Sequence, residues 1–161
     1  MLILAISSAS VLFVYTLISI IKDKDIPESL SATHYLHPSW IFPTIMIFCA
    51  ATLLPCWLKI TEGNNLQFLS FLACAGLLFV GLAPNYKNDK DENKIHSTSA
   101  YLAALCAILS VSFVIGSWVD IVIGSLVIFG LNYDKIKTSY IFLLETAIFV
   151  VSYVNVIYKL S

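Results

Sequence analysis

Six apolar stretches, at roughly 2–21, 40–58, 66–83, 97–115, 118–132 and 140–158, take up most of this chain. A bilayer core is about 30 Å thick and is crossed by about 20 mostly apolar helical residues. Within a bilayer a segment must satisfy its own backbone N–H and C=O groups, so segments of this length are read as helices. Of 161 residues, 59% are apolar and 12% are charged, and the mean hydropathy is +0.89. A soluble domain carries about 25% charged residues. The reading is an all-α protein with one domain over residues 1–161. It is a polytopic transmembrane bundle of about six helices, with a short interfacial helix after the first.

The net charge of −1 offers no basic patch for a nucleic acid. The first stretch lacks a basic lead, and Lys22-Asp23-Lys24-Asp25 follows it where a cleavage site would have small residues. It is therefore read as a retained helix.

Every cation is a lysine, and the distribution is uneven. Lys22, Lys24, Lys87, Lys90, Lys94, Lys135 and Lys137 fall in the loops on one face, against Lys59 and Lys159 on the other. The excess of lysine places those three loops inside and both termini outside a cell membrane. Trp40, Trp57, Trp118, Tyr86, Tyr133, Tyr140, Tyr153 and Tyr158 sit near stretch ends, where amphipathic rings meet headgroups. The fifth stretch is short and carries Asp120. A re-entrant path there is the alternative, leaving five crossings.

Helix association in lipid relies on small residues. Ala100, Ala103, Ala104 and Ala107 supply them in the fourth stretch, Gly76 and Gly81 in the third, and Gly124 and Gly130 in the fifth. Ser7, Ser8 and Ser10 are expected to bond back to their own helix. Pro55 is expected to kink the second helix. Cys49, Cys56, Cys74 and Cys106 form no CxxC pair and read as small hydrophobes without disulfides. No cofactor is implied.

Polar residues gather on one face. After the first stretch the loop runs from Asp25 through Pro27 and Glu28 to His34, Tyr35, His37 and Pro38. Asp25 reads as a cap and Pro27 as a first-turn residue, giving a short helix over about 27–36. Leu30, His34 and His37 would share one side of it. On the same face, Asn85 and Tyr86 precede His96, which opens the fourth stretch. Glu145, five residues beyond Tyr140, lies roughly 7–8 Å below the start of the last stretch. An acid inside an apolar span defaults to a functional hypothesis.

Three readings stand. Glu145 pairs with His96 or a loop lysine and ties the last helix to the rest. Alternatively, Glu28, His34, Tyr35, His37, Asn85, Tyr86, His96 and Glu145 line a pocket for a lipid headgroup or small polar molecule. Or His34, His37, His96 and Glu145 hold a metal such as Zn²⁺, in a membrane hydrolase, or serve a small proton-coupled carrier. No HExxH motif is present for the hydrolase. The leading expectation is non-enzymatic: an integral membrane protein binding a lipid or amphiphile near one face, or an accessory subunit of a homo- or hetero-oligomer.

The segments Ile26–Thr33, with Pro27, Ser29 and Ser31, and His37–Pro43, with Phe42, resemble a known pattern, as do Gly81-Leu82-Ala83-Pro84-Asn85 and His96-Ser97-Thr98-Ser99-Ala100. It is that of the DRAM/Sfk-type six-helix membrane proteins and their bacterial relatives of unknown function. Ala32 stands where that pattern has an acid. The resemblance implies six helices, a role connected with membrane lipids or homeostasis, and, through the bacterial relatives, an inner membrane. It places the first loop outside, opposite to the lysine count, and both orientations stay open.

Overall fold

The computed structural model describes residues 1–116 and 139–161. Among these the chain is helical and has no strand. Helix α1 spans Leu2–Asp23, and a 3₁₀ helix Ser31–Leu36 follows it. Then come α2 at Ile41–Ile60, α3 at Phe68–Leu82, α4 at Lys90–Leu109 continuing as a π-helical segment Ser110–Ile115, and α5 at Tyr140–Leu160. Four helices, Leu2–Asp23, Ile41–Ile60, Lys90–Ile115 and Tyr140–Leu160, are long and apolar enough to cross a membrane. These are the dimensions of a helical membrane protein. The expected fifth stretch at 118–132 lies outside the described residues.

Local chemistry explains two helix ends in particular. Lys24 closes α1 in the left-handed region at φ 60°, its N–H donating to the Ile20 carbonyl at 3.1 Å. Asp89 caps α4, its Oδ1 accepting from the N–H groups of Asp91 at 2.8 Å and Glu92 at 3.1 Å. Asp91 and Glu92 complement the dipole in the first turn. With this cap, α4 begins at Lys90 and not near residue 97, so His96 lies in its second turn. Helix α3, with 15 residues, is shorter than the expected stretch and rises roughly 22 Å. Pro55 is accommodated inside a continuous α2.

The core lies between α2, α3 and α4, with α1 and α5 completing the bundle. Helices α3 and α4 approach closely at Gly76. A Cβ built on Gly76 would lie 2.7 Å from the Ser99 carbonyl oxygen and 2.9 Å from the Ala103 nitrogen. Ser70 and Ser110 join the far ends of these two helices at 2.7 Å. Ser8 differs from expectation: its hydroxyl pairs with the Tyr153 hydroxyl across α1 and α5 at 2.5 Å. Tyr153 and Trp57 are buried in the core, whereas Trp40 and Tyr158 are largely exposed. All four cysteines are free and buried.

These contacts set the direction of each helix. Segments 24–39 and 83–89 lie on one face, here the strap face. Helix α5 starts there too, because the Ser139 hydroxyl donates to the Ile26 carbonyl at 2.9 Å and the Phe142 N–H to the Glu28 carbonyl at 3.2 Å. Helix α4 ends beside the start of α3, on the opposite face.

Candidate functional site

Residues 26–37 form a strap across one end of the bundle. The expected helix over 27–36 is instead a 3₁₀ helix of six residues, and Pro27 and Glu28 lie outside it. Side chains compete locally for the strap's backbone. The Ser29 hydroxyl accepts from the Ala32 N–H at 2.9 Å, and the Thr33 hydroxyl donates to the Leu30 carbonyl at 2.5 Å. The Tyr15 hydroxyl, reaching from α1, then donates to Thr33 Oγ1 at 2.6 Å. Asp25 accepts from the N–H of Ile26 and so turns the chain without capping a helix. Leu30, Ser31, Thr33 and His34 are buried, so the strap is inserted into the bundle end.

Glu145 fastens the strap. Its Oε2 accepts from the Leu30 N–H at 2.6 Å. That donor stands at the start of the 3₁₀ helix, where backbone N–H groups have no helical partner. Glu145 thus links α5 to the strap, a contact for which the sequence suggested a side-chain partner. Its partner is a backbone group and not His96, Tyr86 or a loop lysine.

The other expected residues divide into two groups. Tyr86 stacks on His96 with centroids 4.3 Å apart, and meets Tyr35 edge-on at 5.8 Å. Tyr35 meets His34 at 5.1 Å, and His34 meets Phe42 at 6.0 Å. The row links the strap to α2, α4 and the 83–89 segment. His96 Nδ1 lies 2.9 Å from the Ala83 carbonyl and acts as donor there. His34 Nδ1 is buried without a hydrogen-bond partner among the described residues. The Tyr35 hydroxyl donates to the Pro84 carbonyl at 3.3 Å and accepts from the Lys87 N–H at 2.9 Å. The Lys87 ammonium bonds the Glu28 carboxylate at 2.8 Å and sits 5.5 Å above the Tyr35 ring. That bond holds Glu28 below the usual carboxylate range and Lys87 above its own ordinary value. Burial pushes the Tyr86 phenol up. The Asn85 N–H donates to Glu92 at 2.8 Å, which makes Asn85 part of the turn before α4.

His37 stands apart. It follows the 3₁₀ helix in extended conformation and does not share a side with His34. Its Nε2 is 2.9 Å from the Ser19 hydroxyl, which itself donates to the Tyr15 carbonyl at 2.9 Å. Ser19 therefore accepts from His37, which fixes the Nε2–H tautomer. Tyr15 packs on the ring at 5.3 Å. Burial first, then the Lys22 charge, pull His37 below the ordinary histidine value. Among the described residues no three His, Cys, Asp or Glu side chains converge as a metal-binding group. The expected set is divided among the strap (His34 and His37), α4 (His96) and α5 (Glu145) and is not gathered around a point.

Three spaces adjoin the strap. A groove of about 420 Å³ between α1 and α2 is walled by Val11, Val14, Ile18, Ile41 and Ile45 and ends at Tyr15 and His37. A second, of about 340 Å³, lies between α1 and α5, with Leu30 at the strap end. Inside the bundle a cavity of about 90 Å³ has Leu30, Ser31 and Glu145 at its strap end. Sequence reasoning missed Tyr15, Ser19, Thr33 and the Leu30 N–H. The spacing of Tyr15 and Ser19, one turn apart on α1, was the available signal for two of them.

The fold and site define an all-helical protein with apolar, membrane-length helices and a polar strap closing one end. Comparison with protein-family models, curated proteins and solved structures finds no match.

Proposed function

We propose that this chain is an integral membrane protein of six crossings that binds a membrane lipid or other amphiphile beside α1, with the polar end at the strap. The carrying observation is the α1–α2 groove of about 420 Å³, apolar along its depth and ending at the ring of His37. A bound acyl chain would cover the exposed side chains of Val11, Val14 and Ile18. Its headgroup would meet His37, held in one orientation by Ser19 and Tyr15, with Lys22 nearby. This chemistry needs no catalytic group, so the role is that of a lipid-binding or accessory membrane subunit. The reading agrees with the membrane-lipid role that the DRAM/Sfk resemblance implies.

The six-crossing count is part of the proposal. Helix α4 ends on one face and α5 begins on the other, and the sequence between them contains the apolar stretch 118–132. The strap is read as the interfacial element of the first loop.

Lipid retention tests the function. The protein is extracted into nanodiscs, partially delipidated, and analysed by native mass spectrometry. Wild type is expected to keep a stoichiometric lipid. Val14→Trp, which fills the groove, and His37→Ala, which removes its polar end, should each weaken retention by about tenfold or more. Equal retention in all three proteins, or none in wild type, overturns the reading.

A further inference from the structure

The cavity inside the bundle is distinct from the lipid-facing grooves. It runs between α2, α3, α4 and α5, and its wall on α4 is Ala100, Ala103, Ala104 and Ala107. Methyl groups on that wall leave room that larger side chains would occupy. Phe42 lines the strap end and Trp57 the far end, a separation of roughly 22 Å along α2.

Most of the wall is apolar, and a purely apolar cavity stays dry. This one also carries Glu145, Ser152 and Trp57. Trp57 and Ser152 are only 3% and 4% exposed, and Trp57 Nε1 and Ser152 Oγ have no hydrogen-bond partner among the described residues. Buried polar atoms are bonded to protein or to ordered water in nearly all folded proteins. At about 90 Å³ there is room for roughly three to six waters. Glu145 offers acceptor oxygens, Ser152 both donates and accepts, and Trp57 donates, so a short file of waters finds partners along it.

We propose that this cavity is a water-binding chamber, and that its waters make Glu145 a proton-binding site inside the membrane-spanning bundle. Proton uptake forms one O–H bond on the carboxylate. The proton comes from solvent water relayed through the file, and the carboxylate charge is neutralised. Among the described residues no lysine lines the cavity, and Glu145 has the Leu30 N–H as a bonding partner there. Among the described residues, titratable groups on the surrounding elements include Glu28, His34, Tyr35 and His37 on the strap, Tyr86, Lys87 and Asp89 on the 83–89 segment, and Tyr15 on α1. The helices add Cys49 and Cys56 on α2, Cys74 on α3, His96 and Cys106 on α4, and Tyr153 on α5. Of these only Cys74 also lines the chamber. The inference stands independently of whether a lipid occupies the α1–α2 groove.

Two measurements on the full chain in lipid nanodiscs test it. With Trp40→Phe and Trp118→Phe leaving one indole, the Trp57 Nε1–H should show a magnetisation-transfer cross-peak to water. Infrared difference spectra between neutral and acidic pH should contain a carboxyl band that disappears in Glu145→Gln and shifts promptly in D₂O. Ala104→Leu fills the chamber; it should lose the cross-peak and slow the D₂O shift at least about tenfold, since exchange then needs local opening. Ala104→Val serves the same comparison if the larger side chain prevents folding. A Trp57 indole without water contact, or a Glu145 band absent from wild type or exchanging equally fast in the filled variants, overturns the proposal.

Discussion

Glu145 illustrates what single residues contribute here. Its carboxylate accepts from a backbone N–H, and an amide oxygen at the same place can accept too. Glu145→Gln should therefore keep most of the stability, while Glu145→Leu leaves the Leu30 N–H unpaired and should cost on the order of 1–3 kcal/mol. Unfolding in detergent with the two variants side by side distinguishes them. The residue was legible in the sequence as the lone acid well inside an apolar stretch among the described helices. Its partner was not, because a backbone donor carries no residue signature. Glu28 lies at the other extreme: its ion pair with Lys87 is solvent-exposed, so Glu28→Gln should change stability by less than about 1 kcal/mol. His37 gives a pH signature. Its folded value is below the unfolded one, so the unfolded chain binds more protons as pH falls through about 6.5. Stability should decline with acidification from that point, and His37→Gln should flatten this part of the profile.

At the scale of elements, the α3–α4 contact depends on one missing methyl group. Gly76→Ala sets a Cβ against backbone atoms at 2.7 and 2.9 Å, which side-chain rotation cannot relieve. The expected cost is about 1–3 kcal/mol, read as a lower melting temperature. The small residues of α3 and α4 were recognisable in the sequence as packing surface. Which of them touch was decided by helix rotation: Ser99 and Ala103 meet Gly76, while Ala104 lines a chamber. The start of α4 shows a similar division. Asp89 is a strong cap, but the apolar stretch begins later, so hydropathy alone put the helix start near residue 97. The strap was anticipated as a helix; its 3₁₀ form follows from serine and threonine hydroxyls bonding the strap's own backbone.

For the whole molecule, the described helices place positions 64 and 88 at opposite ends of α3. Cysteines introduced there in place of Asn64 and Asn88 should differ in reaction with an impermeant thiol reagent on intact cells. The lysine count predicts labelling at 64 and protection at 88. The reverse pattern would give the orientation of the DRAM/Sfk type, and labelling at both would break the alternation of the helices.

Apolar run length and loop composition were enough for the all-helical class, for the approximate limits of α1, α2 and α5, and for the presence of polar groups on one face. Long apolar runs and lysine-rich loops act through transfer between water and lipid, which depends on composition more than on neighbours. The tertiary structure alone decided that the strap inserts into the bundle, that Glu145 meets the Leu30 N–H, that His37 turns to Ser19 while His34 faces Phe42, and that Trp57 is buried against a cavity. Those outcomes depend on how helices rotate and how closely backbones approach, which are set by packing among residues far apart in the chain.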